Sequence, residues 1–212
     1  MSAHPIFARM YSRIRPLMDR QGAVEHRRRL LADATGRVIE IGAGDGGNFA
    51  LYPAAVAHVL AVEPEPYLRS QAQSRAERAI TSINVVDGTA ERLPATDESA
   101  DVVVASLVLC SVADQQAALA EAFRVLRPRG ELRFYEHVAA EPGRRLGTVQ
   151  RIADATLWPL LMGGCHVHRD TSTAITAAGF VIQELDRFEF PPDQPSPAAP
   201  HILGRAIRPE AT

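Results

Sequence analysis

Cysteine is scarce in these 212 residues: the two present, Cys110 and Cys165, lie far apart and form no Cys-x-x-Cys pair. That spacing argues against a disulfide framework and against a zinc site, and for a reducing compartment. No apolar run approaches the roughly 18 residues that a membrane-spanning helix needs. The amino terminus also lacks an apolar core followed by a cleavage pattern, so neither a transmembrane segment nor a secretory leader is expected. An excess of charge is missing too. The net charge is −2 and the pI is near 6.4, which gives no basic field to recruit nucleic acid or an anionic membrane. With 46% hydrophobic residues the chain can fill one sizeable core, short of two comfortable domains. The expectation is a soluble cytoplasmic globule.

Residues 1–35 are amphipathic and arginine-rich. Ile6, Phe7, Met10, Ile14, Leu17 and Met18 fall near helical spacing, with Arg9, Arg13, Arg15 and Arg20 between them. Three readings are open for this segment: a helix packed on the domain, a lid over a ligand, or a weak peripheral contact with a membrane surface. From residue 37 strand and helix alternate. Strands are expected at 37–41, 58–62, 82–86, 101–106 (DVVVAS, apolar enough to be buried on both faces) and 131–136. Helices are expected from Gly47 to just before Pro53, from Pro66 to Arg78, and from Ala117 to Leu126. This order implies a doubly wound parallel sheet with right-handed crossovers. Further on, 144–162 reads as helical with Ile152, Leu157, Trp158 and Leu161 inside, and 170–178 as a short helix capped by Asp170. Two last strands are expected at 180–190 and 200–206, joined by a proline-rich surface loop. The organisation expected is a helical cap over 1–35 and one domain over 36–212.

Residues 38–49 read VIEIGAGDGGNF. Apolar residues alternate around Glu40, four glycines crowd into 42–47, and Asn48 and Phe49 restart an apolar pattern. A buried strand followed by a glycine turn lets backbone approach a nucleotide-like ligand. Glu40 narrows the ligand. A dinucleotide site aims helix N–H groups at pyrophosphate, and a carboxylate there repels it. A cationic ligand such as S-adenosylmethionine, with its ammonium and sulfonium, tolerates it. Glu63 ends the second strand, where a carboxylate can accept both hydroxyls of a ribose. Asp87 to Pro94 (DGTAERLP) form a turn at the carboxyl edge of the sheet, which can offer the N–H groups of Ala90 and Glu91 to an adenine.

With these elements in place, the chain resembles the class I S-adenosylmethionine-dependent methyltransferases. The likeness rests on the glycine turn, Glu63, GTAERLP, the strand exit SLVLCSV at 106–112 and RVLRPRGEL at 124–132. Pro128-Arg129-Gly130 departs mildly from the family's usual Pro-Gly-Gly, and Thr89 stands where many members carry Asp. SLVLCSV, FYEHV, the Trp158–Cys165 segment with its GGC, and PHILGRA at 200–206 are further similar to the methyltransferase-like thiol S-methyltransferases. The resemblance implies a Rossmann-like seven-stranded, mostly parallel sheet whose last strand is antiparallel. It also implies S-adenosyl-L-methionine as cofactor, with S-adenosyl-L-homocysteine as product.

On that reading Glu40, Gly42, Ala43, Gly44 and Asn48 surround the methionine end, and Glu63 with Pro64 holds the ribose. Thr89, Ala90 and Glu91 surround the adenine, and Ser106 and Leu107 form the floor beside the methyl. Tyr11 could cross from the N-terminal helix to the methionine carboxylate. His137, at the carboxyl end of the fifth strand, is the candidate catalytic group; a structural hydrogen bond is its alternative. Cys165-His166-Val167-His168 invites a metal reading, but alternate positions splay on a strand and no fourth ligand is in view, so no metal is expected. Cys110 reads as a small buried hydrophobe. The partner expected is a small-molecule methyl acceptor. An alkyl thiol is favoured over an O- or N-acceptor of lipid-like or natural-product type, and the non-enzyme alternative is a protein that holds S-adenosylmethionine without turnover. The oligomeric state is not encoded legibly.

Overall fold

A computed structural model describes residues 5–192 and 196–210. In chain order the strands are β1 (Gly36–Ile41), β2 (Val56–Val62), β3 (Ile83–Val86), β4 (Ala100–Ser106), β5 (Leu126–His137), β6 (Val181–Glu189) and β7 (Pro200–Ile207). They form one seven-stranded sheet in the order β3-β2-β1-β4-β5-β7-β6. Strands β1 to β5 pair parallel, and β7 lies antiparallel between β5 and β6. The order reverses between β1 and β4, so the exits of these strands diverge and leave a crevice at the carboxyl edge.

Alternation along the central strands explains why the sheet is covered on both faces. Ile39, Ile41, Val103 and Ala105 pack into one apolar layer with α4 (Gln115–Val125) and α7 (Thr171–Ala177). Val38, Val102 and Val104 pack into the other, with Leu30 and Leu31 of α2 (Val24–Leu31) and Ala72 of α3 (Pro66–Ala76). Side-chain caps start three helices: Glu65, Asp114 and Asp170 accept the N–H groups of Leu68, Ala117 and Thr173 at 2.8, 3.0 and 3.1 Å. The Asp170 cap is the one expected from sequence. Ahead of the sheet, α1 (Pro5–Met18) runs through a π-helical turn at Asp19–Ala23, with Gly22 at φ 118°, into α2.

Three expectations need correction. The helix expected between Gly47 and Pro53 is only a 3-10 turn, Phe49–Leu51. Gly42, Gly44 and Gly46 all take positive φ, and Pro53 ends the segment before a full α-helical turn can close. Most of the apolar residues expected inside 144–162 point outward: in α5 (Arg145–Asp154), α6 (Trp158–Leu161) and their junction, Ile152, Leu157 and Leu161 are 60%, 64% and 61% exposed. Trp158 packs inward as expected, against the cluster of Cys110, Cys165 and Val167. Polar residues face inward because the loops beneath have backbone groups to satisfy. Gln150 donates to the Val138 and Pro197 carbonyls and accepts from the Ala140 N–H, while Asp154 accepts from Val167 and His168. On α1 the inward face is likewise Ala8, Tyr11 and Arg15, with Ile14 and Leu17 exposed; only the backbone of Ile6 is described. The proline-rich loop expected between the last strands includes 193–195, outside the described residues.

His201 on β7 carries a pH signature. Its ring is 3% exposed, stacks on Tyr135 at 5.2 Å and donates from Nδ1 to the Ala199 carbonyl at 2.7 Å. Burial, and then the nearby His137, pull its pKa down to about 3. The folded protein therefore binds fewer protons here than the unfolded chain between about pH 3 and the ordinary histidine value of about 6.5. Stability from this group is complete above that range and is lost as pH falls through it. Urea unfolding at pH 5 should show about 2 kcal/mol less stability from this group than at pH 7. His201→Asn keeps a donor for Ala199 and should remove that part of the slope; an unchanged slope would contradict a neutral buried His201.

Candidate active site

At the β1/β4 divergence lies a cavity of about 310 Å³. Ile41, Gly42 and Gly44 from the β1 exit, Glu63 to Pro66 from the β2 exit, and Gly88 and Ala90 from the β3 exit line one side. Ser106, Leu107, Val108, Ser111 and Val112 follow β4 along the other, while Phe7, Ala8 and Tyr11 of α1 and Gly163 complete the wall. Glycine is required where backbone and wall crowd. Gly42 has φ 63°, and a Cβ there would fall 2.5 Å from Val108 Cγ2. Gly44 has φ 57°, and its Cβ would meet Tyr11 Cε1 at 3.3 Å.

Glu63 ties the first two strand exits together. Its Oε2 accepts the Gly44 N–H at 2.8 Å and its Oε1 the Glu65 N–H at 2.9 Å. Burial raises its pKa, and the same two N–H groups pull it down. Glu63 and Glu65 are the ionisable acids of the lining, and no arginine or histidine stands among the lining residues. Such a wall is unsuited to pyrophosphate and suited to a cation with vicinal hydroxyls.

Of the residues singled out from sequence, Tyr11, Gly42, Gly44, Glu63, Pro64, Ala90, Ser106 and Leu107 come together on this cavity. The others stand behind it. Glu40 accepts from Asn48 Nδ2 and the Tyr52 hydroxyl, both at 2.8 Å, and burial pushes its carboxyl up to about 7. It braces the glycine turn with Asn48 rather than lining the cavity. The Ala43 N–H bonds to the Val62 carbonyl, Thr89 bridges to Arg92, and Glu91 accepts from the Ala113 N–H at 3.1 Å.

His137 is not among the lining residues. Its Nδ1 lies 3.6 Å from Cys110 Sγ and 3.5 Å from Cys165 Sγ, and its ring is 4.6 Å from that of His201. Two cysteines that sequence separation kept apart are thus neighbours, both free and buried. The nearness of the two sulfurs, with the His137 ring beside Cys165, holds the Cys165 thiol below its usual range, and the same nearness together with burial drives that of Cys110 up. His166 and His168 do not join them; His166 Nδ1 faces Asp154 at 3.8 Å.

Sequence reasoning missed the wall residues Phe7, Ala8, Val108, Ser111, Val112 and Gly163, which carry no polar motif. It also missed two acids. Glu136 is fully buried in β5 and accepts from the N–H groups of Val108, Leu109 and Cys110 at 3.0, 2.9 and 3.2 Å, shaping the β4 exit. An acid inside the apolar run of β5 was the available signal. Asp45, within the glycine turn, receives Arg15 of α1 and Arg75 of α3.

A methyltransferase domain model matches residues 39–134. Thiol S-methyltransferase TMT1B of Rattus norvegicus is 36% identical over 176 residues, covering 81% of this chain and 70% of that protein. Thiol S-methyltransferase TMT1A of Homo sapiens is 36% identical over 174 residues, with the same 81% and 70% covered. Among solved structures, a SAM-dependent methyltransferase from Thermotoga maritima superposes with a TM-score of 0.68 at 23% identity, covering 96% of this chain and 98% of that one. The N-methyltransferase NodS from Bradyrhizobium japonicum gives 0.65 at 19% identity, covering 91% and 97%. At those identities the structures show the fold, and the sequence relatives show the family. A glycine turn, an acid at the β2 exit and a crevice at the sheet reversal thus find their explanation together: the chain belongs to the thiol S-methyltransferase family of class I S-adenosylmethionine-dependent methyltransferases.

Proposed function

We propose that the chain methylates a small thiol in this cavity. S-adenosylmethionine, when bound, supplies a methyl already activated on a sulfonium, so the protein's tasks are to position an acceptor and keep water out. Glu63 would hold the ribose hydroxyls and Gly42 and Gly44 would admit the methionine end. Ala90 and Pro64 would flank the adenine, and Ser106 and Leu107 would form the floor under the methyl. Tyr11, Ala8 and Phe7 would close the cavity from α1, so that residues 1–35 act as a cap on the domain formed by 36–212.

The observation that carries the thiol is the absence of a proton acceptor on the acceptor side. The lining there is Phe7, Leu107, Val108, Ser111, Val112 and Gly163. A thiol, with an ordinary pKa of about 8.5, is already a few per cent thiolate at neutral pH and strongly nucleophilic in that form, whereas a phenol or an ammonium at about 10 is deprotonated about 30-fold less and needs a base. The names of the relatives support the same class. No helix among the described residues is long and apolar enough to cross a membrane, and free Cys110 and Cys165 support a reducing, cytoplasmic setting.

Labelled-methyl transfer to alkyl thiols, aryl thiols, phenols and amines tests this. Thiols should be methylated, and kcat/KM should rise with pH along the ionisation of the acceptor itself, so a more acidic aryl thiol moves the profile down in pH. Methylation of a phenol or amine with no thiol turnover would overturn the proposal in favour of an O- or N-methyltransferase. A profile indifferent to acceptor acidity would locate the base on the protein instead.

A further inference from the structure

The cluster behind the cavity wall brings two cysteine sulfurs onto one histidine nitrogen. Cys110 comes from the β4 exit, His137 is the last residue of β5, and Cys165 sits in the turn after α6. Three of the four segments on which the likeness to thiol S-methyltransferases rests, SLVLCSV, FYEHV and GGC, each supply one member. Their donor atoms, Cys110 Sγ, His137 Nδ1 and Cys165 Sγ, lie within 4.8 Å of one another. Both sulfurs approach the same nitrogen, at 3.6 and 3.5 Å. A neutral imidazole with its proton on Nδ1 has one hydrogen to share between two sulfurs, and with the proton on Nε2 it has one lone pair for two thiols.

Cys110 Sγ can turn to Ser111 Oγ at 3.5 Å instead, but a tetrahedral ion engages both sulfurs and the nitrogen at once. With metal–sulfur bonds of about 2.3 Å and metal–nitrogen bonds of about 2.0 Å, ligand sulfur and nitrogen stand about 3.5 Å apart. The distances in the protein match that spacing as they are. Two thiolates and a neutral imidazole around a divalent ion also sum to zero charge, which suits a place where both cysteines are buried. The surroundings are braced. The Cys110 N–H is held by Glu136, the Cys110 carbonyl accepts the His166 N–H at 2.8 Å, and Trp158 packs against the buried cluster of Cys110, Cys165 and Val167. Soft donors of this kind select zinc over magnesium, calcium or manganese.

We propose that Cys110, His137 and Cys165 form a three-ligand site for a thiophilic divalent cation, zinc by its donor set. Among the described residues no fourth cysteine, histidine or carboxylate joins the group, so the last position belongs to solvent. Such an ion fastens the β4 exit to the turn after α6. Those two segments supply Val108, Ser111, Val112 and Gly163 to the cavity. The site therefore sets the acceptor-side wall, and its presence does not depend on which acceptor is methylated.

The test uses the full chain, purified under reducing, metal-free conditions and titrated with zinc and with cobalt. The expected results are about one zinc per chain, a zinc-dependent rise in Tm, and a cobalt complex with thiolate-to-metal charge-transfer absorption in the near ultraviolet. Cys110→Ser, Cys165→Ser and His137→Gln should each weaken zinc binding at least about 100-fold. A retained Tm response to S-adenosylmethionine will show that a variant is folded; should one fail to fold, the cobalt spectrum of the unaltered protein decides. No stoichiometric zinc together with no charge-transfer band would overturn the site. So would a Cys110–Cys165 disulfide found by mass spectrometry in protein prepared without oxygen.

Discussion

Glu63→Ala should lose S-adenosylmethionine binding by about 100-fold or more while the chain still folds. A carboxylate offers about four acceptor positions, and the backbone N–H groups of Gly44 and Glu65 use one on each oxygen. The remaining positions are available to the cavity, which Glu63 lines while only 5% exposed. Hydrogen bonds to a charged group contribute about 1.5–3 kcal/mol each, so two to a ribose correspond to a factor of 100 or more. The two N–H groups left behind border the cavity and can take water, which limits the loss of stability to about 1–2 kcal/mol. Calorimetric titration gives the affinity, and circular dichroism with urea unfolding checks the fold. Glu91→Ala is the contrast. Glu91 is spent on the Ala113 N–H outside the cavity, so its loss should change affinity less than about threefold. Equal effects of the two substitutions would mean that the ligand is held elsewhere.

The pairing of Glu63 with Glu91 shows how far the sequence could be read. Strand positions were legible because a parallel sheet buried on both faces demands apolar runs, as in DVVVAS, and glycines betray backbone that must come close to something. The seven-stranded, mostly parallel sheet and its antiparallel last strand followed from the family likeness and are as observed. The direction in which a motif residue faces was less legible. Glu40 and Glu63 are both acids at the ends of neighbouring parallel strands, yet Glu40 turns to Asn48 and Tyr52 while Glu63 turns to the cavity. The choice depends on partners far along the chain. The same applies to α5, where periodicity located a helix but not its inward face, because Gln150 and Asp154 answer the backbone needs of loops that periodicity does not report. Cys110, His137 and Cys165 are 27 and 28 residues apart in sequence, and they meet because β4 and β5 are neighbours and the turn after α6 folds onto their exits.

Asp45→Ala should destabilise the protein by about 3–5 kcal/mol, the range for removing one partner of a buried ion pair, and weaken S-adenosylmethionine binding at the same time. Asp45 is 1% exposed at the centre of the glycine turn. Arg15 Nε of α1 lies 2.8 Å from its carboxylate and Arg75 Nη1 of α3 lies 2.7 Å away. Arg15 also reaches Asp19 at 2.6 Å, and Arg27 of α2 closes on Asp19 as well. This chain of charges fastens the N-terminal helices to the turn that approaches the ligand, and Tyr11, in contact with Gly44, travels with them. Without Asp45 the Arg15 guanidinium is left largely buried and without its main partner. The relief of that charge is a helix that swings away from the cavity together with Phe7, Ala8 and Tyr11. The expected signature is therefore joint: a lower urea midpoint and a higher Kd, with Arg15→Met recovering part of the stability in the Asp45→Ala background because the half-paired guanidinium, left with Asp19 alone, is then gone. A double-mutant cycle should give a coupling of at least about 1 kcal/mol between Arg15 and Asp45. Unchanged affinity in Asp45→Ala would mean that α1 packs on the domain without serving the cavity, and additive losses would mean that the two residues stabilise the fold independently.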